Sequence, residues 1–183
     1  MGLVSKFLGQ IGVSGSQSNP ANIGYLYGLT LGAGGLTNAG PTNEQGSVVV
    51  VGNVATYAPT AAQSGTLFVL NRAAGTTVTL PAPAVGLKYS FVVQTSVTSN
   101  NYKVITDAGT TFLQGALSES IASGAPNVYV GDGSTHIAVT MNGTTTGGLK
   151  STRLTLECIT ATLWQVTGVS VASGTIATPF ATS

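Results

Sequence analysis

Charge is what this chain has least of. Only 6% of its 183 residues are Asp, Glu, Lys or Arg and the formal net charge is +1, against roughly 25% charged residues in an average soluble domain. A free monomer relies on surface charge, and on a net charge away from zero, to resist self-association. The composition therefore predicts a protein whose surface is largely covered in use, one that works in many copies within a larger assembly. Disorder does not explain the shortage, because disordered chains combine low hydrophobicity with high net charge, whereas this chain is 43% hydrophobic with a mean hydropathy of +0.36.

The other scarcities exclude function classes. Lys6, Arg72, Lys88, Lys103, Lys150 and Arg153 are scattered, with no run to neutralise a track of phosphates, so no nucleic-acid partner is expected. The single cysteine, Cys158, rules out an internal disulfide and a cysteine-rich metal site, and its place in an alternating apolar stretch predicts a core position. No uncharged stretch reads as membrane-spanning, since the long ones are dense in Gly, Pro, Asn and Thr. The opening MGLVSKFLGQIGV is broken by Lys6 and lacks a signal-peptide core. The same Lys6 stands where a myristoylation signal wants Ser or Thr.

One histidine and five acids, Glu44, Asp107, Glu119, Asp132 and Glu157, make a thin catalytic inventory, and the expectation is a non-enzyme with no cofactor and no metal. DGSTH holds Asp132, Ser134 and His136 within five positions, but a triad needs the imidazole between the other two side chains. Turn chemistry explains Asp-Gly-Ser directly, as a hairpin turn leading into HIAVTM. Nothing in the spacing suggests paired carboxylates, a calcium loop or a zinc site. The glycines of LGAGGL and GVSG follow no buried strand and open no helix, so they form no phosphate loop.

What the chain does have is strand signal. Residues 1–63 read as an extended, Gly/Ala-rich arm that forms interfaces. Tyr25, Tyr27, Leu29 and Leu31 alternate in it, while Leu3, Phe7, Leu8 and Ile11 fall at the spacing of one face of a short helix. These eight are the candidate partner-contacting residues. Strands are predicted from Ser47 to Val51 onward, and residues 64–183 read as one β-domain with LKYSFVVQ, NYKVIT, NVYV, HIAVTM, RLTLECI and LWQVTGVSV as successive strands. TIATPFATS is a tail or an added edge strand, and FLQGALSESIAS is the only candidate helix of this domain. Short strands at regular spacing predict an all-β fold, an antiparallel β-sandwich or jelly roll, with Phe68, Tyr89, Phe91, Leu154, Leu156 and Trp164 in its core. Parallel units are not expected, for want of crossover helices.

The stretch SGTLFVLNRAAGTTVTLPAPAVGLKYSFVVQT, from Ser64 to Thr95, followed by NYKVITDAGTTFLQG, resembles a β-module of tailed-phage virion proteins. In that module a T-V-T-L-P strand leads through a small-residue loop to an aromatic strand, here Tyr89 to Phe91. The likeness, which spans the central third of the chain, is to the β-sandwich type of capsid decoration (cement) proteins and also to tail and fibre components. It implies a structural protein of the virion on the outer capsid surface, often a homotrimer, with the major capsid protein as partner. The arm would clamp neighbouring subunits, each large apolar side chain buried contributing ~1.5–3 kcal/mol before ordering costs. A tail or fibre component for host attachment is the alternative it implies.

Overall fold

The computed structural model describes residues 46–121 and 124–183. Twelve strands run through them: β1 (Val48–Val50), β2 (Thr56–Tyr57), β3 (Leu67–Leu70), β4 (Thr77–Thr79), β5 (Lys88–Val93), β6 (Tyr102–Ile105), β7 (Phe112–Ile121), β8 (Asn127–Asp132), β9 (Ala138–Met141), β10 (Arg153–Thr160), β11 (Leu163–Ala172) and β12 (Phe180–Ala181). They form a seven-stranded sheet in the order β1-β3-β5-β10-β11-β7-β8 and a five-stranded sheet in the order β12-β9-β6-β4-β2. The all-β expectation holds. Pairing within the sheets is mixed, and this follows from how the chain travels.

Up to β6 the chain alternates between the sheets, one strand in each. The odd strands β1, β3 and β5 therefore lie parallel in one sheet, and the even strands β2, β4 and β6 lie parallel in the other. A parallel pair needs a crossover, and here the crossover is a strand of the facing sheet rather than a helix. Successive coils are tied at their corners. Arg72 reaches back to Asn53 Oδ1 (3.1 Å) and donates to the carbonyls of Ala74 (3.2 Å) and Gly75, and Thr76 Oγ1 donates to Val54 O (2.7 Å). Gly75, at φ +76°, lies so close to the Asn101 backbone that any Cβ would collide with it, so the stacking of these corners requires glycine.

The second half closes both sheets. β7 pairs in parallel with β11 over ten positions and antiparallel with β8, while β10 and β11 form an antiparallel pair inserted between β5 and β7. β9 extends the smaller sheet antiparallel to β6, and β12 pairs antiparallel with β9. The helix expected at FLQGALSESIAS is not there. Phe112–Ile121 is β7, and residues 122–123 lie outside the described ones. Its Ala, Leu, Ser and Glu favour helix weakly, but Leu113, Leu117 and Glu119 are buried at two-residue multiples, and a ten-residue ladder on β11 overrides so small a propensity. The 133–137 connection is likewise no hairpin, since β8 and β9 belong to different sheets.

One apolar core fills the space between the sheets. Phe68, Tyr89, Phe91, Leu154, Leu156 and Trp164 all lie in it, at most 1% exposed, as does Cys158. Phe68 stacks on Phe91 (centroids 5.5 Å apart) and contacts Tyr57 of the opposite sheet (5.5 Å), and Tyr89 meets Trp164 (5.9 Å). Burial pushes the Cys158 thiol up from its ordinary pKa, which keeps it an unreactive core residue. Within the segment read as an arm, residues 46–63 supply β1, β2 and a 3₁₀ turn, Ala61–Gln63. Leu3, Phe7, Leu8, Ile11, Tyr25, Tyr27, Leu29 and Leu31 lie outside the described residues.

Candidate functional site

Register and burial together define the outer face of the seven-stranded sheet. Along β10, Leu154, Leu156 and Cys158 point into the core, so Arg153, Thr155 and Glu157 point outward. Following the pairings from Arg153 gives one row across the sheet: Val50, Val69 and Val92 on one side, Val169, Ser118 and Val128 on the other. The row through Thr155 runs from Val48, Leu67 and Ser90 to Thr167, Ala116 and Val130. Arg153 is the only charged residue in these two rows. The third row holds the exposed Lys88–Glu157 pair (3.7 Å) and ends at Asp132. An open pair of this kind contributes little to stability.

This face is apolar where water reaches it most. Val48 and Val50 on edge strand β1 are 60% and 57% exposed, and Val128 and Val130 on edge strand β8 are 58% and 64% exposed. Natural edge strands are normally blunted by charge, proline or a bulge; β1 has no charge or proline within its strand, and β8 has only Asp132 at its end. Isolated exposed valines are ordinary, but paired valines on both edge strands of one sheet leave apolar edges of the kind that are covered in use. Sequence reasoning missed this surface. The two-residue alternation of Arg153, Thr155 and Glu157 was visible, but the strand order that sets three valines on one side of Arg153 and two on the other was not.

The DGSTH segment has a structural task. Asp132 Oδ1 accepts the backbone N–H groups of Ser134 (3.0 Å), Thr135 (2.9 Å) and His136 (3.1 Å), and the Thr135 hydroxyl donates to Oδ2. These hydrogen bonds, that of the Thr135 hydroxyl foremost, hold the carboxyl well below the usual carboxylate range. The Asp132 N–H donates to His136 Nδ1 (3.1 Å). Nδ1 also stands 3.2 Å from Oδ1, which three backbone donors already engage. Ser134 contributes a backbone N–H and its hydroxyl makes no hydrogen bond to His136 among the described residues, so Asp132, Ser134 and His136 are near one another without forming a relay.

Removing the Asp132 carboxylate is expected to open this loop. Asp132→Ala should strip amide-exchange protection from Ser134, Thr135 and His136, while Asp132→Asn, which keeps the Oδ1 acceptor, should retain most of it. Unchanged protection in Asp132→Ala would mean that the loop is held by its two sheets alone. The sign for pH is that of a carboxylate with a depressed folded pKa: the contribution is complete above the ordinary Asp range and is lost as pH falls through the lowered value.

A second polar cluster lies inside. Glu119 is fully buried and neither carboxyl oxygen has a hydrogen-bond partner among the described residues; the same holds for the hydroxyl of fully buried Ser170. The two are paired in register on β7 and β11. Gly147, at φ +80°, lies over them so closely that a Cβ there would collide with Ser170 Oγ and stand 3.2 Å from Glu119 Oε1. The loop carrying Gly147 is organised by Asn142, whose Oδ1 accepts the N–H groups of Thr144 (2.8 Å), Thr145 (2.8 Å) and Thr146 (3.1 Å). Burial raises the Glu119 pKa to about 7. Among the described residues no three His, Cys, Asp or Glu side chains are grouped as a metal would require, and no helix is long and apolar enough to cross a membrane.

No family model, curated protein or solved structure matches this chain.

Proposed function

We propose that this chain is a structural virion protein, a capsid decoration or cement protein that binds the outer capsid surface and stabilises the shell by bridging neighbouring capsid subunits. The observation that carries the reading is a β-domain whose larger sheet turns outward a face studded with half-exposed valines, its charges confined to Arg153 and to the row of Lys88, Glu157 and Asp132. Such a face is unsuited to a free monomer and suited to a component of an assembly. The resemblance of Ser64–Thr95 to the phage β-module supports the same class. The major capsid protein is the partner, and contacts repeated over a symmetric shell add by multivalency.

The test is the copy number of the chain in purified particles relative to the major capsid protein, measured by quantitative mass spectrometry. A ratio approaching equimolar is the expected result. A few copies per particle would transfer the protein to the tail or a fibre, and absence from particles would end the virion reading. Deleting residues 1–13 is expected to weaken attachment to particles while leaving the far-UV circular dichroism of the β-domain unchanged. Full-strength attachment of the shortened chain would remove Leu3, Phe7, Leu8 and Ile11 from the contact.

A further inference from the structure

The geometry points to a face-to-face homodimer in which the outer faces of two seven-stranded sheets stack through a two-fold axis passing by Thr155. This inference goes beyond the virion reading and does not rest on it, since it concerns the isolated chain.

The size of the face is the first argument. Seven strands about 4.8 Å apart and about six residues long, at about 3.4 Å each, cover ~700 Å² in projection. That approaches the ~800 Å² that each partner contributes to a standard stable interface. Stacked sheets of this kind pack about 10 Å apart with their strands within about 30° of one another.

The second argument is charge, and it selects both the occupant and the symmetry. β10 is the central strand of the seven, and it carries Arg153 and Glu157 outward at equal distances on either side of Thr155, roughly 7 Å each by the rise per residue. A second copy related by a two-fold axis running across the strands places its β10 antiparallel over the first. Thr155 then meets Thr155 of the second copy, Arg153 meets Glu157 of the second copy, and Glu157 meets its Arg153. Both central charges are matched, twice, by the self-complementarity that an isologous interface demands. Glu157 already has Lys88 beside it at 3.7 Å, so each carboxylate would sit between two cations. A two-fold axis along the strands instead stacks Arg153 on Arg153 and Glu157 on Glu157, and like-charge contact disfavours it. With a net charge of +1, two copies approach with almost no long-range repulsion.

The row through Thr155 fits the same axis. Val48, Leu67, Ala116 and Val130 each lie over their own symmetry mates, so the apolar ends of the face cover one another. In the flanking rows Val92 lies over the other copy's Lys88 and Val169 over its Gln165, whose long stems can lie against apolar surface while their polar ends reach water, and Val128 lies over its Asp132 at the rim.

The experiment is a charge swap on the full-length chain, read by sedimentation equilibrium over a concentration series. The wild type is expected to form a dimer, and R153E and E157R are each expected to weaken it by about tenfold or more, because each puts like charges in contact twice. The double variant R153E/E157R restores opposite charges across the axis and is expected to return the dissociation constant to within about threefold of wild type, the interaction term of a double-mutant cycle. Arg153 and Glu157 are both exposed, and unchanged circular dichroism would confirm that the variants fold. A wild type that stays monomeric up to about 100 µM overturns the proposal, dimer stability being a matter of concentration. So does a trimer or other oligomer indifferent to R153E, or a double variant no tighter than the singles.

Discussion

Replacing Trp164 by alanine is expected to lower the stability of the β-domain by about 3–5 kcal/mol, the range for deleting a large buried aromatic. Trp164 is the largest fully buried side chain of the described residues. It stands on β11 between Cys158 of β10 and Leu113 of β7 and closes against Tyr89, which in turn donates from its hydroxyl to Thr60 O (3.0 Å). Its removal leaves a cavity that the two flanking ladders prevent from collapsing. Trp164→Phe should behave differently. The indole Nε1–H is buried without a hydrogen-bond partner among the described residues, and a buried unpaired donor costs about 1–3 kcal/mol. Phenylalanine gives up volume but removes that donor, so the two effects offset and the net loss is expected below about 1.5 kcal/mol, as for a tolerated apolar exchange. Urea unfolding followed by circular dichroism checks both. Equal losses for Ala and Phe would show that the indole nitrogen is satisfied.

Glu119 is expected to make the domain less stable as pH rises across the neutral range. Burial raises its folded pKa from 4.5 to about 7, because the charged form is desolvated and neither oxygen is hydrogen-bonded. Below about pH 4.5 the carboxyl is protonated in folded and unfolded chains alike, so it adds no pH dependence. Between about 4.5 and 7 the folded state holds a proton that the unfolded state has released, so stability falls with pH, by about 3 kcal/mol over the interval at 1.36 kcal/mol per pH unit. Above about 7 the slope vanishes. Asp132 acts in the opposite sense in acid, which places the stability maximum in the mildly acidic range. Glu119→Gln is expected to abolish the neutral slope and to raise the urea midpoint at pH 8 while changing it little at pH 5. A wild-type midpoint that does not move between pH 5 and pH 8 would contradict a desolvated Glu119.

How much of this was legible beforehand depends on whether the property is local. The strand residues of β3, β5, β10 and β11 announce themselves by alternation, so Phe68, Phe91, Leu154, Leu156 and Trp164 were recognisable as core without any knowledge of partners. Cys158 followed from the same alternation. β7 was not, because its Leu, Ala, Ser and Glu carry no β-branched signal, and what makes it a strand is a ladder with β11 some fifty residues later. The parallel pairing was hidden for a similar reason: expecting a helical crossover is sound for one open sheet, but a chain that alternates between two sheets makes each strand the crossover of its neighbours. The buried Glu119 looked like any surface acid. Its partner in register, Ser170, and the close backbone of Gly147 are distant in sequence, so no local pattern marks the site. The outer face behaves likewise, being assembled from seven strands whose order no pairwise spacing encodes.

The place of β10 and β11 in the larger sheet has a consequence for the order in which the molecule can be made. These two strands, residues 153–172, leave the ribosome after β1 to β9, yet they lie in the middle of the sheet, between β5 and β7. Until they arrive, the coils of the first half present β5 as a raw edge, and β7 with β8 forms a detached ribbon with no sheet to join. Long-range pairing of this kind is slow, because the chain must close large loops before any contact rewards it. The nascent β-domain is therefore committed late, as one event, when a single hairpin drops into the gap and joins the two halves. A chain stopped before residue 153 would hold most of its strands and neither of the ladders that unite them.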